Sequence, residues 1–326
     1  NAMRKFLFFM RHKYSYIKKA MPILCALVGA TGVGKTKSSL AIAKAFHAEI
    51  ISMDSRQIYR GFRIGTAQPS REALAAVPHH LVDFFSPEER FSAGDFVRHV
   101  KEILETNPTK SYILVGGTGL YLQALTEGLA EIPKVSNVVR DECERMLERK
   151  GADALYRKVC EMDPETARTL LPQDRQRLLR ALEVFLETGR KFSDIRKSRV
   201  GGIGKVKTFW LTRNRETLYR RIDERVLQMI SEGWKEEVVN LYASIPANAP
   251  AWQSLGYREW ALSLEGKLRQ EEVVERVQSG SRHYAKRQLT WFRHQTEAEI
   301  VNLDKNFERV LDKMIQEITM PSVKPL

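Results

Sequence analysis

Paired cysteines are missing from this sequence: Cys25, Cys143 and Cys160 are odd in number and far apart. That spacing excludes a disulfide framework and a Cys-x-x-Cys zinc or redox motif, and it fits a reducing, cytoplasmic setting. Long apolar runs are missing too. The LFFM at 7–10 is too short for a secretory core, and no later run approaches the roughly 18 residues of a spanning helix, so no membrane segment is expected. No internal repeat or low-complexity array occurs. Acid is in short supply, with 40 Asp and Glu against 53 Lys and Arg and a net charge of +13. Six of those bases, Arg4, Lys5, Arg11, Lys13, Lys18 and Lys19, lie in the first 20 residues without one acid, yet the remainder stays basic enough to suit an anionic partner. Asn1 and Ala2 precede Met3 and read as residues added ahead of a natural start; Met21 is a second candidate start.

What is present is an ordinary globular balance, 43% hydrophobic and 29% charged, in a chain of 326 residues that can bury a full core. The apolar PILCALVGA reads as a buried parallel strand, followed by a glycine loop and the helical KSSLAIAKAF. The loop matches G-x-x-x-x-G-K-[ST] over Gly29, Ala30, Thr31, Gly32, Val33, Gly34, Lys35 and Thr36. Glycines there let successive backbone N–H groups turn toward one phosphate cluster, and the helix adds its positive N-terminal end. Lys35 supplies a point charge and the Thr36 hydroxyl a ligand for Mg²⁺. The motif specifies a diphosphate-like group and does not require ATP.

A second strand, AEIISM, delivers Asp54 to its carboxyl end, where open parallel sheets bind ligands. Asp54 there is a magnesium partner, a general base or the cap of a turn, and Arg56 is equally open. A third strand, SYILVGGTG, ends in Gly116, Gly117 and Gly119 around Thr118, which predicts close approach of the backbone to another group. Three such transitions favour a doubly wound α/β core over an all-helical chain. Charged amphipathic helices follow. In PQDRQRLLRALEVFLETG, Leu178, Leu179, Leu182, Val184 and Phe185 read as core contacts, whereas Arg175, Arg177 and Arg180 are either a solvated face or phosphate positions. RVGGIGK at 199–205 marks a hinge back to the strand VKTFWLT. Arg215, Arg221 and Arg225 are within reach of anions or of their acidic neighbours Glu216, Asp223 and Glu224. In SRHYAKRQLTWFRH, Ala285, Leu289 and Phe292 form a core stripe, with Arg282, Lys286, Arg287, Arg293, Tyr284 and Trp291 as a basic and aromatic complement suited to nucleic acid.

Taken in order, GATGVGKT, SMDSRQIYRGFRIGTAQP, PHHLVDFFSPEERFSAGDF, ILVGGTGLYLQAL, DRQRLLRALEVFLETG, SLGYREW and YAKRQLTWFR resemble the tRNA dimethylallyltransferases, also called tRNA isopentenyltransferases, from about Pro22 to Arg293. Ala30 stands where that family usually has proline and Met53 where it commonly has alanine; neither change removes a reactive group. The resemblance implies a P-loop NTPase-like parallel sheet core flanked by helices with an inserted helical subdomain, of the shorter bacterial type. Residues 21–127 and 201–316 are expected to form the core, 128–200 the tRNA-binding insertion, 1–20 a basic extension and 317–326 a tail. The implied reaction moves a dimethylallyl group from dimethylallyl diphosphate to N6 of adenosine 37 in tRNAs reading codons that begin with U. Asp54 is the implied base, Thr118 a positioning group, and Arg215 with Arg221 the remainder of the diphosphate clamp beside Lys35, Mg²⁺ and Thr36. Implied contacts to the extruded anticodon loop come from Asp54, Ser55, Arg56, Gln57, Thr118 and Arg140. Further ones come from Gln176, Arg177, Leu178, Leu179 and Arg180, and from Gln253, Ser254, Leu255, Gly256, Tyr257 and Arg258. A cytoplasmic monomer is expected. The first 60 residues alone also suit a P-loop kinase, distinguished by phosphate transfer from ATP, or an RNA-binding switch, distinguished by tight tRNA binding without product.

Overall fold

The computed structural model describes residues 22–132 and 135–320, which form two compact units. The basic extension expected over 1–20 lies outside the described residues. One unit joins the chain up to Gln123 with the chain from Lys205 onward; the other is Ala124–Gly204. Strands in chain order are β1 (Ile23–Gly29), β2 (Glu49–Met53), β3 (His79–His80), β4 (Tyr112–Gly116), β5 (Leu129–Ala130), β6 (Arg199–Val200), β7 (Thr208–Thr212) and β8 (Glu299–Asn302).

The first unit is built on a six-stranded sheet of order β3-β2-β4-β1-β7-β8, in which every pairing is parallel. β1 is buried along nearly its whole length, as its unbroken apolar run requires of a strand covered on both faces. The chain leaves β1 to build β2, β3 and β4 on one side and returns to add β7 and β8 on the other. Reversal at β1 opens a crevice at the carboxyl ends of the strands, where the phosphate loop, Asp54 and the Gly116–Gly119 turn all emerge. Met53 pairs with Gly116 and Val28 with the same Gly116, so the three loops start level with one another. Beneath them Leu27, Ile42, Ile50, Phe209 and Leu211 form one core. A second, aromatic core of Phe62, Trp234, Trp252, Tyr257 and Trp260 supports the segment after Asp54.

The second unit is mainly helical: Asn137–Met162, broken at Gly151 where φ is +74°, then Pro164–Ala167, Arg175–Thr188 and Phe192–Lys197. The unit also carries the short antiparallel pair β5–β6, which puts Arg199 and Val200, at the start of the expected hinge, in a ladder. The amphipathic helix Phe307–Thr319 runs past residue 316, where the core was expected to end, and buries Ile318 in the first unit's sheet core. None of the helices among the described residues is long and apolar enough to cross a membrane.

Candidate active site

The phosphate loop reaches the helix Lys35–Phe46 through Gly32 and Gly34, whose φ values of +78° and +117° leave room for glycine alone. Gly34 offers the helix no side-chain cap, so the first-turn N–H groups remain directed at the crevice. The loop is held from outside by its carbonyls. Arg213 Nε donates to Val33 O at 2.9 Å while its Nη1 reaches Leu303 O and Asp304, and Arg221 Nε donates to Gly32 O at 3.0 Å. Arg225 Nη1 donates to the Thr31 hydroxyl at 3.3 Å. With carbonyls tied outward, the N–H side of the loop is presented inward. Lys35 folds back, its Nζ donating to Gly29 O and Ala30 O at 2.8 and 2.9 Å. Burial pushes its ammonium down to about 8; the Asp54 charge opposes that shift and Arg225 adds to it.

On the opposite wall, Asp54 Oδ1 accepts the N–H groups of Arg56 and Gln57 at 2.8 and 3.3 Å. This Asx turn fixes the carboxylate, so Asp54 caps the turn, as one of its three readings expects. Thr118 is brought to the same place: its N–H donates to Met53 O, and its hydroxyl accepts from Ser55 N at 3.3 Å. Burial first, and then the Asp54 charge, pushes the Tyr284 phenol up, against a hydrogen bond with Thr118. Tyr121 is pushed up by the same two causes in the same order. A pocket of about 50 Å³ lies between the walls, lined by Lys35, Thr36, Ser52, Asp54, Gln57 and His79 among others. Thr36 and Asp54 give it two hard oxygen donors. Among the described residues no group of three His, Cys, Asp or Glu is placed to hold a metal ion.

Several expected residues sit elsewhere. Arg215 is exposed at the start of the helix Arg215–Ser231, its guanidinium 5.1 Å from the Tyr219 ring centroid, with no hydrogen bond to the loop, whereas Arg213, Arg221 and Arg225 are the arginines that bond to it. Leu178 is fully buried against Cys143, Leu155 and Leu182, so its side chain serves the second unit's core and not an RNA contact. Leu179 packs against the same cluster, whereas Gln176 and Arg177 are exposed and Arg180 is half-buried beside Glu183. Ser254 and Tyr257 are also core. The Tyr257 hydroxyl donates to Glu237 at 2.5 Å, and Gly256 lies where any Cβ would strike Trp234. Only Gln253 and Arg258 of that segment are exposed, with Leu255 intermediate. Gln57 commits its amide to the carbonyls of Ala67 and Thr66. Ser55 and Arg56 follow Asp54 half-buried, and Arg140 is exposed on the second unit.

Other important groups carried no motif signal. Glu237 accepts the N–H groups of Arg63 and Ile64 and the Tyr257 hydroxyl, anchoring the loop after Asp54; burial outweighs these donors and pushes its carboxyl up. Gln288 bridges the phosphate loop and the Gly116–Gly119 turn. One signal was there to read: Gln288 stands three residues after Ala285 and four before Phe292, a polar group on a core stripe. The Gly116–Gly119 glycines answer to the protein itself, since Cβ atoms there would strike Met53, Gln288 and Trp291.

A parallel sheet that reverses at β1, with a phosphate loop at the reversal and a carboxylate facing it, defines a P-loop-like α/β protein. Comparison with known proteins narrows the class. The family model described as IPP transferase matches residues 57–295, and the chain belongs to that family. A tRNA dimethylallyltransferase of Fusobacterium nucleatum is 40% identical over 290 residues, covering 89% of this chain and 94% of the relative. One of Geobacter metallireducens is 40% identical over 297 residues, covering 90% and 96%. Among solved structures, the full-length tRNA isopentenylpyrophosphate transferase of Bacillus halodurans superposes with a TM-score of 0.67 at 34% identity, covering 91% of this chain and 94% of that one. A eukaryotic dimethylallyltransferase acting on tRNA superposes with a TM-score of 0.76 at 26% identity, covering 90% and 79%.

Proposed function

We propose that this protein transfers the dimethylallyl group of dimethylallyl diphosphate to the exocyclic N6 of adenosine 37 in tRNAs reading codons that begin with U. The observation that supports it most is the pairing of a diphosphate cradle with Asp54 and Thr118 across one crevice. The loop from Gly29 to Thr36 and Lys35 hold the diphosphate, and Arg221 and Arg225 keep the loop in shape behind it. N6 attacks the first carbon of the prenyl group, the carbon–oxygen bond breaks with its electrons going to the diphosphate, and Asp54 accepts the N6 proton. Thr118 positions the amine. The Thr36 hydroxyl would hold Mg²⁺, which would supply charge neutralisation to the leaving group.

An adenine stacked in an anticodon loop cannot reach a crevice at a sheet edge, so the base is extruded, at a cost of a few kcal/mol. Contacts from Ser55, Arg56, Gln253 and Arg258, and from Arg140, Gln176, Arg177 and Arg180 on the second unit, offset that cost. The setting is cytoplasmic and the working form a monomer. The deciding experiment incubates the protein with unmodified tRNA, dimethylallyl diphosphate and Mg²⁺ and analyses the nucleosides. N6-dimethylallyladenosine at position 37 is expected without ATP; its absence from every tRNA sinks the proposal, and phosphate transfer from ATP moves the protein to the kinases.

A further inference from the structure

Gln288 is 6% exposed on the helix Gln270–Gln295, and both ends of its amide are engaged. Oε1 accepts the N–H of Thr31 at 2.9 Å, and Nε2 donates to Gly117 O at 3.0 Å. One partner can only donate and the other only accept, which settles the orientation of the amide. The Thr31 hydroxyl is occupied as well, by Arg225. Thr31 is the third residue of the phosphate loop, and both of its polar groups therefore point at protein. The fit is tight from the other side too: a Cβ on Gly117 would run into the Gln288 amide.

In a P-loop the backbone N–H groups cradle two phosphates over the helix N-terminus and the lysine reaches on toward a third, so a longer phosphate chain draws on loop N–H groups ahead of the helix. Thr31 N–H is one of those groups, and Gln288 already holds it. We infer that Gln288 is a specificity-determining residue that limits the cradle to a diphosphate, by withholding the Thr31 N–H and occupying the ground a third phosphate would need. The inference rests on the reading of the ligand as a diphosphate ester. It explains how a loop with the full G-x-x-x-x-G-K-[ST] pattern can refuse nucleoside triphosphates without losing a residue of the motif.

The test measures binding of inorganic diphosphate and inorganic triphosphate, each with Mg²⁺, to the full chain by calorimetry. Wild type is expected to favour diphosphate. Gln288→Met keeps the length of the side chain but cannot hold the Thr31 N–H, and it should shift the ratio toward triphosphate by about tenfold, the size of one charge-assisted hydrogen bond. Gly117→Ala, which displaces the same amide from behind, should shift it in the same direction and serves if Gln288→Met does not fold. General loosening of the fold would lower both affinities together and leave the ratio unmoved. An unchanged ratio in the folded variants, or a wild type that binds both chains equally, overturns the inference while leaving the diphosphate reading standing. A wild type that binds neither anion removes the diphosphate reading and this inference with it.

Discussion

The phosphate loop and the segment Gln253–Arg258 are both short blocks of recognisable sequence, and they behave oppositely in the fold. In the loop the working groups are backbone N–H donors presented by consecutive residues between a strand and a helix, so the local pattern carries its geometry with it. In the other segment the working groups would be side chains, and their directions follow from packing against distant elements. Tyr257 turns into the aromatic core to meet Glu237, Ser254 is buried, and only Gln253 and Arg258 are exposed. A motif made of backbone is read directly; one made of side chains must be sorted by burial first.

The sharpest way to break this contrast is at Asp54, a side chain whose direction is nevertheless fixed locally by its Asx turn. Asp54→Ala should lower the single-turnover transfer rate by about 10² to 10⁴, the usual worth of a general base, and leave tRNA affinity near wild type. Normal transfer would return Asp54 to the role of a turn cap.

Next in size is the anchor beneath the second segment. Glu237→Ala strands the N–H groups of Arg63 and Ile64 and the Tyr257 hydroxyl, and should cost about 2–4 kcal/mol of stability in chemical unfolding. Tyr257→Phe keeps the ring and should cost about 1 kcal/mol, with tRNA affinity unchanged if Tyr257 is a core residue only. A large loss of tRNA binding in a stable Tyr257→Phe protein would restore its place on the interface.

The loop itself makes a pH prediction. Lys35, held down to about 8, is charged below that pH and neutral above it in the free protein. Inorganic diphosphate should therefore bind more weakly as pH rises past 8, by up to about tenfold per unit for a single required proton. Stability moves the other way: the folded pKa lies below the unfolded value of 10.5, so burying the ammonium costs stability below pH 8, and the cost is relieved between 8 and 10.5. A flat binding profile from pH 7 to 9.5 would mean that the lysine is not needed as a charge.

Legibility followed the same division throughout. The parallel core, the crevice at β1 and the facing positions of Asp54 and Thr118 follow from strand–loop–helix successions of a dozen residues or so. Arg213 and Gln288 reach the loop across 180 and 257 residues of chain, and no local pattern encodes such a meeting. Within PQDRQRLLRALEVFLETG, the helical period that puts Leu178 and Leu182 on one face was a better guide to Leu178 than its place in a motif block.

That helix also sets the finest test. Arg177 is exposed, and its guanidinium is bonded to Asp174 at 2.6 Å, an i,i+3 pair that is worth little at a surface. Such a pair opens at small cost when a phosphate competes for the guanidinium. If Arg177 meets RNA, Arg177→Ala should weaken tRNA binding a few-fold and reduce the slope of log affinity against log salt by about 1, since one fewer counterion is released. Leu178, its neighbour on the buried face, supplies the control. Leu178→Ala should lower stability by about 2–5 kcal/mol while leaving the salt slope of the folded protein intact, because the residue it removes touches only the core. A salt slope that is unchanged in both variants would assign this helix's outer face to solvent.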